Sequence, residues 1–414
     1  MFHPDRIFIY VLLISVVTTV IYLVYYFVNV YYLLKHGNAK KTKSYVETGD
    51  VTILIPVYNE KAGLFARVID SAAAQGVNII VVGDSSNEPY RSIAESKGAH
   101  FIYVERRGGK RRALSEGIKF VNTKFVLFLD SDTVLPKDAV KKMMAHFKED
   151  VGGVGANVTV VRSSKGASYS AEFMERAREI VLRAMSAHGG SVMVIDGKCA
   201  MYRTDLIKPL VISKEFTEPK VAGRPAIMGD DQQMTSYIIR NGYKAEKSFE
   251  VMVETEPPEN FKQFTKQSIR WARSSYYYFF KNIFNGTALH AGGFYTFETI
   301  ATFVMPFLTL GLGLFRLYFE FRFIGYHAGT FFDVIRDFIA FNLIGFHGGR
   351  NSIIHLLSFA GIPGPAIFGS ALAFNLKRER LRTLGYGGVA LLIIFLTSIY
   401  GMLTCWKQWT WLTR

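Results

Sequence analysis

Only two cysteines, Cys199 and Cys405, occur in 414 residues, and they lie far apart in the chain. They supply neither a disulfide framework nor a thiolate cluster, which excludes a disulfide-stapled scaffold and metal–thiolate catalysis. No nucleic-acid-binding module accompanies the net charge of +15. The positive residues flank apolar segments instead, so membrane topology and an anionic lipid surface explain them better than a DNA or RNA partner. A convincing small-residue cleavage site is also missing after the first apolar stretch, which makes that stretch an anchor rather than a removed signal peptide. Half of the chain is hydrophobic. That share is uneven: the ends carry most of it, while the middle reads as an ordinary α/β protein. The length exceeds what one domain needs.

Residues 7–34 form a charge-free apolar run about long enough to cross a bilayer. Its tyrosines (Tyr22, Tyr25, Tyr26, Tyr31, Tyr32) suit an interfacial belt, and Lys35, Lys40, Lys41 and Lys43 place the far end on the cytoplasmic side. The middle of the chain, roughly 50–260, is then cytoplasmic, where nucleotide-activated substrates are found. Further apolar stretches cover about 294–315, 331–346, 353–374 and 389–405. The second carries Asp333, Arg336 and Asp337, so it either lies at the interface or faces a polar interior. Gly361, Pro363, Gly364 and Pro365 interrupt another, as at a kink or a channel wall. A cytoplasmic cluster of Lys377, Arg378, Arg380 and Arg382 needs an even number of crossings before it. The expectation is a multi-pass protein of the cell membrane.

The middle alternates strand and helix patterns with short connections, which predicts a doubly wound, mostly parallel sheet inserted between membrane helices. Val51-Thr52-Ile53-Leu54-Ile55-Pro56-Val57 runs into Tyr58-Asn59-Glu60, and Asn78-Ile79-Ile80-Val81-Val82-Gly83 runs into Asp84. Phe125-Val126-Leu127-Phe128-Leu129 runs into Asp130-Ser131-Asp132. Unbroken apolar runs suit strands buried on both faces. Ligands of such sheets sit beyond the carboxyl ends of the strands, where these acids fall. Two hard oxygen donors at an open strand end suit Mg²⁺ or Mn²⁺ holding a diphosphate; a plain helix-capping turn is the alternative. Asp84 is placed either to accept hydrogen bonds from a nucleotide or simply to cap a turn. Gly108-Gly109-Lys110-Arg111-Arg112 combines flexible backbone with clustered cations, suited to a diphosphate or to a solvated basic loop.

Farther on, Val194-Ile195-Asp196-Gly197-Lys198-Cys199 is a strand–turn–strand region, with Cys199 in apolar company. Gly229-Asp230-Asp231 opens a helical stretch; the dipole at a helix N-terminus lowers carboxylate pKa values, whereas two adjacent acids raise one another. Gln267, Arg270 and Trp271 stand at i, i+3 and i+4, so they share a helix face. There an Arg can clamp a diphosphate and a Trp can stack on a sugar ring, or Trp271 is an interfacial anchor of an amphipathic helix. Tyr276, Tyr277 and Tyr278 suit a sugar path and headgroups equally.

Together the Ile-Pro-Val-Tyr-Asn-Glu, Gly-Asp-Ser-Ser, Gly-Gly-Lys-Arg-Arg-Ala-Leu, Asp-Ser-Asp, Gly-Asp-Asp and Gln-Ser-Ile-Arg-Trp segments resemble the family 2 inverting glycosyltransferases. More closely, they resemble the membrane-integrated processive synthases of hyaluronan, chitin and cellulose, the Gly-Asp-Asp form being most similar to the hyaluronan type. The likeness covers about residues 50–280. It implies a GT-A-like α/β fold, a nucleotide-sugar donor (a UDP-sugar), a growing glycan acceptor and Mg²⁺ or Mn²⁺ as cofactor. It further implies Asp231 as general base with Asp230 positioning it. Pro56, Tyr58, Glu60, Asp84, Lys110, Asp130, Gln267 and Arg270 fall to the nucleotide, and Asp132 with Asp130 to the metal. Gly197, Cys199 and Trp271 fall to the acceptor.

The domains expected are an anchor and basic linker (1–45), a cytoplasmic transferase domain (46–255), amphipathic interface helices (256–290) and a C-terminal membrane region (291–414). The expected activity is elongation and translocation of a polysaccharide, with the lipid bilayer and a further copy of the chain as partners and no nucleic acid. A non-processive transferase acting on a lipid phosphate is one alternative; a transporter or scaffold with a sugar-nucleotide-binding domain is another.

Overall fold

The computed structural model describes residues 4–37, 48–161, 163–325, 369–374, 376 and 379–409. The helices in chain order are α1 (Pro4–Gly37), α2 (Ala62–Ala73), α3 (Tyr90–Glu95), α4 (Gly109–Ile118), α5 (Ala139–Met144), α6 (Gly166–Ala187) and α7 (Thr204–Val211). They continue with α8 (Lys214–Thr217), α9 (Asp230–Arg240), α10 (Phe261–Phe284), α11 (Thr287–His290), α12 (Gly293–Gly325) and α13 (Arg380–Leu403). The strands are β1 (Val51–Val57), β2 (Asn78–Asp84), β3 (His100–Val104), β4 (Phe125–Leu129), β5 (Val151–Val160), β6 (Cys199–Arg203), β7 (Lys220–Val221), β8 (Arg224–Pro225) and β9 (Lys244–Thr255). The chain divides into two compact units, Met1–Leu34 with Ile300–Lys377, and Lys35–Thr299 with Arg378–Arg414.

The second unit is organised by a seven-stranded sheet of order β3-β2-β1-β4-β6-β5-β9. The pairs β2–β3, β1–β2, β1–β4 and β5–β9 are parallel, while β6 runs antiparallel to both β4 and β5. The sheet is therefore mixed: mostly parallel, as the alternating pattern predicts, with one reversed strand that periodicity does not distinguish. Strand alternation divides the apolar residues between two faces. Ile53, Ile55, Val81, Leu127 and Leu129 enter one core, with Phe65, Val68 and Ile69 of α2. Leu54, Val82, Val126 and Phe128 enter the other, with Leu114 and Ile118 of α4, Leu182 of α6 and Ile238 of α9. Covering both faces is what lets β1, β2 and β4 be unbroken apolar runs.

Within the same unit α13 packs on α10. A side chain at Gly401 would come within 2.4 Å of Ala272 Cβ, so the helices approach there at backbone distance. Buried Arg273 of α10 donates from Nε to Thr404 Oγ1 at 3.0 Å. Among the described residues one helix, α13, is long and apolar enough to cross a membrane. Its Leu381, Leu391, Leu392 and Leu396 are exposed. Helix α1, on the expected N-terminal anchor, likewise exposes Leu13, Val17, Val20, Val24 and Phe27. The expected segment at 294–315 falls within α12. Segment 331–346, most of 353–374, and the basic residues 40–43, 377 and 378 lie outside the described residues.

Leu127 sits fully buried at the middle of β4, between β1 and β6. Leu127→Ala is expected to cost about 2–5 kcal/mol through the cavity left in a two-sided core, read as a lowered unfolding midpoint of the purified protein.

Candidate active site

The parallel strands β1, β2 and β4 end on one rim of the sheet, and that rim gathers the acids. Past β1, Asn59 takes φ +46° and turns the chain sharply. Tyr58 lies there beneath the Arg107 guanidinium, 3.9 Å from the ring centroid. Pro56 and Glu60 are half-buried at the same end, and Tyr90 Oη donates to the Glu60 carbonyl at 2.6 Å. At the end of β2 the Asp84 carboxylate accepts from the backbone N–H groups of Gly108 and Gly109, at 2.7 and 2.8 Å. Both of its oxygens thus shape the glycine loop that opens α4, the loop expected to meet a diphosphate.

Lys110, next along that loop, is the centre of the site. Its ammonium lies 2.6 Å from Asp130 Oδ1 and 3.4 Å from Asp230 Oδ2, and it donates to the Gly197 carbonyl at 3.0 Å. Burial alone would lower its pKa; Asp130, Asp230 and Asp231 outweigh burial and hold it well above the ordinary lysine value. The Asp130 carboxyl moves upward, because burial and its neighbour Asp132 outweigh Lys110. Asp132 is half-buried and accepts from Thr133 Oγ1 at 3.2 Å. Arg111 turns the other way, into the protein. It is 6% exposed, donating to the carbonyls of Phe216 (3.2 Å) and Met228 (3.0 Å) and to Gln233 Oε1 (2.7 Å). Of the clustered cations, Lys110 faces the acids and Arg111 braces the segment leading into α9.

That segment turns at Gly229, whose φ is +79°. A side chain there would also sit 2.5 Å from the Tyr278 ring and 2.8 Å from Ser274 Oγ of α10, so backbone strain and contact both require glycine. Asp230 and Asp231 follow as the first residues of α9. Burial raises both, but the outcomes diverge. Lys110 and then Arg111 overcome burial at Asp230 and lower its pKa. At Asp231 burial is reinforced by the Asp230 charge, Lys110 opposes only in part, and the carboxyl is raised to about 6. Desolvation and the like charge therefore win over the helix dipole, which favours ionisation at this end.

Helix α10 lies against this turn. Besides Gly229 meeting Ser274 and Tyr278, Gln232 Nε2 donates to Ser275 Oγ at 3.0 Å. Arg270 and Trp271 stand four residues before Ser274 and Ser275, hence one helical turn away on the same face, with Gln267 a turn earlier. All three are half-buried.

Between β5 and β6 the chain passes through residues 195–198, and Gly197 faces the acid pair: a side chain there would lie 3.3 Å from both Asp231 Cβ and Lys110 Nζ. Cys199, starting β6, points elsewhere. It is 1% exposed, contacts Met143 Sδ at 3.8 Å and has its thiol pKa pushed up by burial and then by Asp130. Its side chain belongs to the core, out of an acceptor's reach. Asp196, read only as a flanking residue, is buried and ion-paired to both Arg178 of α6 and Lys247 of β9. Lys247 had a sequence signal: it shares a strand face with the buried Ala245 and Phe249. For Arg178 the signal was an i, i+3 pairing with Glu175.

No group of three or more His, Cys, Asp or Glu side chains that could hold a metal occurs among the described residues. Asp130 and Asp132 are two adjacent hard-oxygen donors at an open strand end. That set fits a Mg²⁺- or Mn²⁺-type ion that takes its remaining ligands from a bound diphosphate.

Residues 52–211 match the family model of glycosyl transferase family 2. An N-acetylglucosaminyltransferase of Azorhizobium caulinodans is 29% identical over 243 residues, covering 55% of this chain and 60% of that protein. One of Bradyrhizobium diazoefficiens is 26% identical over 240 residues, 55% of this chain and 49% of that protein. The chain thus spans only part of the length of these curated relatives. The mannosyltransferase PcManGT from Pyrobaculum calidifontis, solved in complex with GDP-Man and Mn²⁺, aligns over 94% of this chain and 99% of its own. Its TM-score is 0.57 at 16% identity, a likeness of fold. The family match takes in Asp84, Lys110, Asp130, Asp132 and Gly197, and ends before Asp230, Asp231 and the Gln267–Trp271 face.

Replacing Arg111 by Met is expected to destabilise the protein by on the order of 2–4 kcal/mol, since it strands two buried carbonyls and a buried amide. A thermal or denaturant melt of the purified variant checks this.

Proposed function

For a chain whose residues 52–211 match the family model of glycosyl transferase family 2, we propose the transfer of a sugar from a nucleotide-sugar donor to a hydroxyl of a glycan acceptor, with inversion. One observation carries this reading: two adjacent acids open α9, Asp230 lying 3.4 Å from Lys110 and Asp231 beside Gly197, with Asp230 held low while Asp231 is raised to about 6. A carboxylate near that value is a base matched to neutral pH. Asp231 takes the proton of the attacking hydroxyl. The new bond forms at the anomeric carbon as the bond to the diphosphate breaks, and the electron pair leaves with the diphosphate. Lys110 is the cation on the donor side, held between Asp130 and Asp230. Asp130 and Asp132 would hold Mg²⁺ or Mn²⁺, which supplies charge stabilisation to the leaving diphosphate. Gly197 leaves room for the acceptor beside Asp231, and the Gln267–Arg270–Trp271 face lines the approach from α10.

The finer reading is a membrane-embedded, processive synthase that elongates and translocates its product from a cytoplasmic UDP-sugar pool. The apolar helix α13 packed on α10, the apolar ends of the chain and the Gln-Ser-Ile-Arg-Trp segment support it. N-acetylglucosamine is the first donor sugar to test, because the similar curated proteins are N-acetylglucosaminyltransferases.

The full chain, purified in detergent or liposomes with Mg²⁺ or Mn²⁺, is incubated with UDP- and GDP-sugars while nucleotide release and product size are followed. A long polymer is the expected result. One sugar on an added lipid phosphate would replace the processive reading, and no turnover of any donor would overturn the transferase reading. Asp231→Asn is expected to lower transfer by roughly 10²–10⁴-fold with nucleotide binding retained; lost binding would remove Asp231 from the role of base. Because the base must be ionised, kcat/KM for donor falls as pH drops through about 6 and levels off above it. Asp231→Asn abolishes that limb.

A further inference from the structure

The turn at residues 195–198 has no regular secondary structure, yet it contacts Lys110, Asp130 and the helix that carries Asp231. Ile195 N donates to Thr235 Oγ1 at 3.0 Å, and that hydroxyl donates to the Asp231 carbonyl at 2.8 Å. The Gly197 carbonyl accepts from Lys110, and the Lys198 carbonyl accepts from Asp130 N at 2.9 Å. One short loop thereby ties together the end of β4, the lysine of α4 and the base on α9. From behind, the turn rests on β5 at Gly155, where a side chain would lie 3.0 Å from Ile195 and 3.4 Å from Asp196 N.

A loop in that position needs an anchor in the scaffold, and one side chain provides it. Asp196 is 8% exposed, with one carboxylate oxygen on Arg178 of α6 and the other on Lys247 of β9. Lys247 is 2% exposed, and Arg178 also pairs with Glu175 at 3.3 Å, so two cations face two carboxylates. Buried clusters of this kind add little net stability, because desolvation offsets their attraction, but they tolerate only one arrangement. We infer that Asp196 is a positioning residue of the transfer reaction, its clamp by Arg178 and Lys247 holding the 195–198 turn where Gly197 carries Lys110 and leaves the acceptor its place beside Asp231. The consequence for catalysis rests on the transferase reading; the consequence for the turn does not.

The test compares wild type, Asp196→Asn and Asp196→Asn/Lys247→Met as purified full chains. The measurements are melting temperature, hydrogen exchange of the peptide covering 192–200, and donor consumed by transfer and by hydrolysis. Asp196→Asn is expected to speed exchange of that peptide relative to one covering α7. Transfer should fall about 100-fold, as for a misplaced reactant, and hydrolysis, which needs no seated acceptor, by less than tenfold. The double variant removes the stranded lysine charge, so melting temperature recovers while the transfer-to-hydrolysis ratio stays low. Should the single variant not fold, the double variant carries the same comparison. An unchanged ratio and exchange rate in a folded variant, or a ratio that recovers together with melting temperature, overturns the inference. A wild type that consumes no donor overturns the transferase reading instead, and exchange then still decides whether Asp196 holds the turn.

Discussion

One ammonium group organises the site. Lys110 stands between Asp130 and Asp230 and under the Gly197 carbonyl, joining segments that are up to 120 residues apart in the chain. Four carboxylates, Asp130, Asp132, Asp230 and Asp231, gather in one partly desolvated corner, where mutual repulsion favours protonating some of them. Lys110 lies against two of them, and at Asp130 burial still outweighs its pull. Asp230, with Arg111 adding to the lysine's pull, remains ionised. At Asp231 burial and the Asp230 charge outweigh Lys110, and the carboxyl is raised. The opposite shifts of two consecutive aspartates follow from burial and from which cations reach each of them.

The sheet explains how the cation arrives there. Parallel β1, β2 and β4 bring three strand ends to one rim, and α4 starts beside it because Asp84 gathers the Gly108 and Gly109 amides. The reversed strand β6 performs a different task. By running antiparallel to β4 it starts, rather than ends, at that rim, so the turn preceding it meets Asp130 and Asp231. An all-parallel sheet would have carried residues 195–198 to the opposite edge.

What could be read from the chain and what could not differ in their physics. Apolar runs ending in acids follow from burial on two faces, a strong local signal, and the strand ends were legible with their acids. Lys110, Asp130, Asp230, Asp231 and Gly197 do converge. Side-chain direction was less legible. Arg111 is adjacent to Lys110 in sequence but points about 100° away on the helix, which puts it into the protein bracing Met228 and Phe216. Asp84 spends its carboxylate on backbone amides, a partner that no residue pattern advertises. The Asp196 clamp was hidden because its partners come from α6 and β9, 18 and 51 residues away, and each looks like an ordinary surface charge. In β9 only the alternation with Ala245 and Phe249 betrays the inward lysine.

Helix α10 extends the argument beyond the sheet. One side of it receives Gly229 against the side chains of Ser274 and Tyr278, just before the start of α9 and Asp231. Another side receives α13, through Ala272 against Gly401 and Arg273 against Thr404, while Gln408 Nε2 donates to the Arg273 carbonyl at 3.0 Å. The Gln408 carbonyl in turn accepts from Ile227 N at 2.9 Å, two residues before the Gly229 turn. The helix with the composition to cross a bilayer is thus connected to the turn before Asp231 by two short routes, one through α10 and one through the segment after α13. Both routes use buried polar groups and close backbone approaches, which shift as discrete packings rather than yielding gradually. Both routes meet at the Gly229 turn, whose φ of +79° and contacts with Ser274 and Tyr278 leave no room for a side chain just before Asp231.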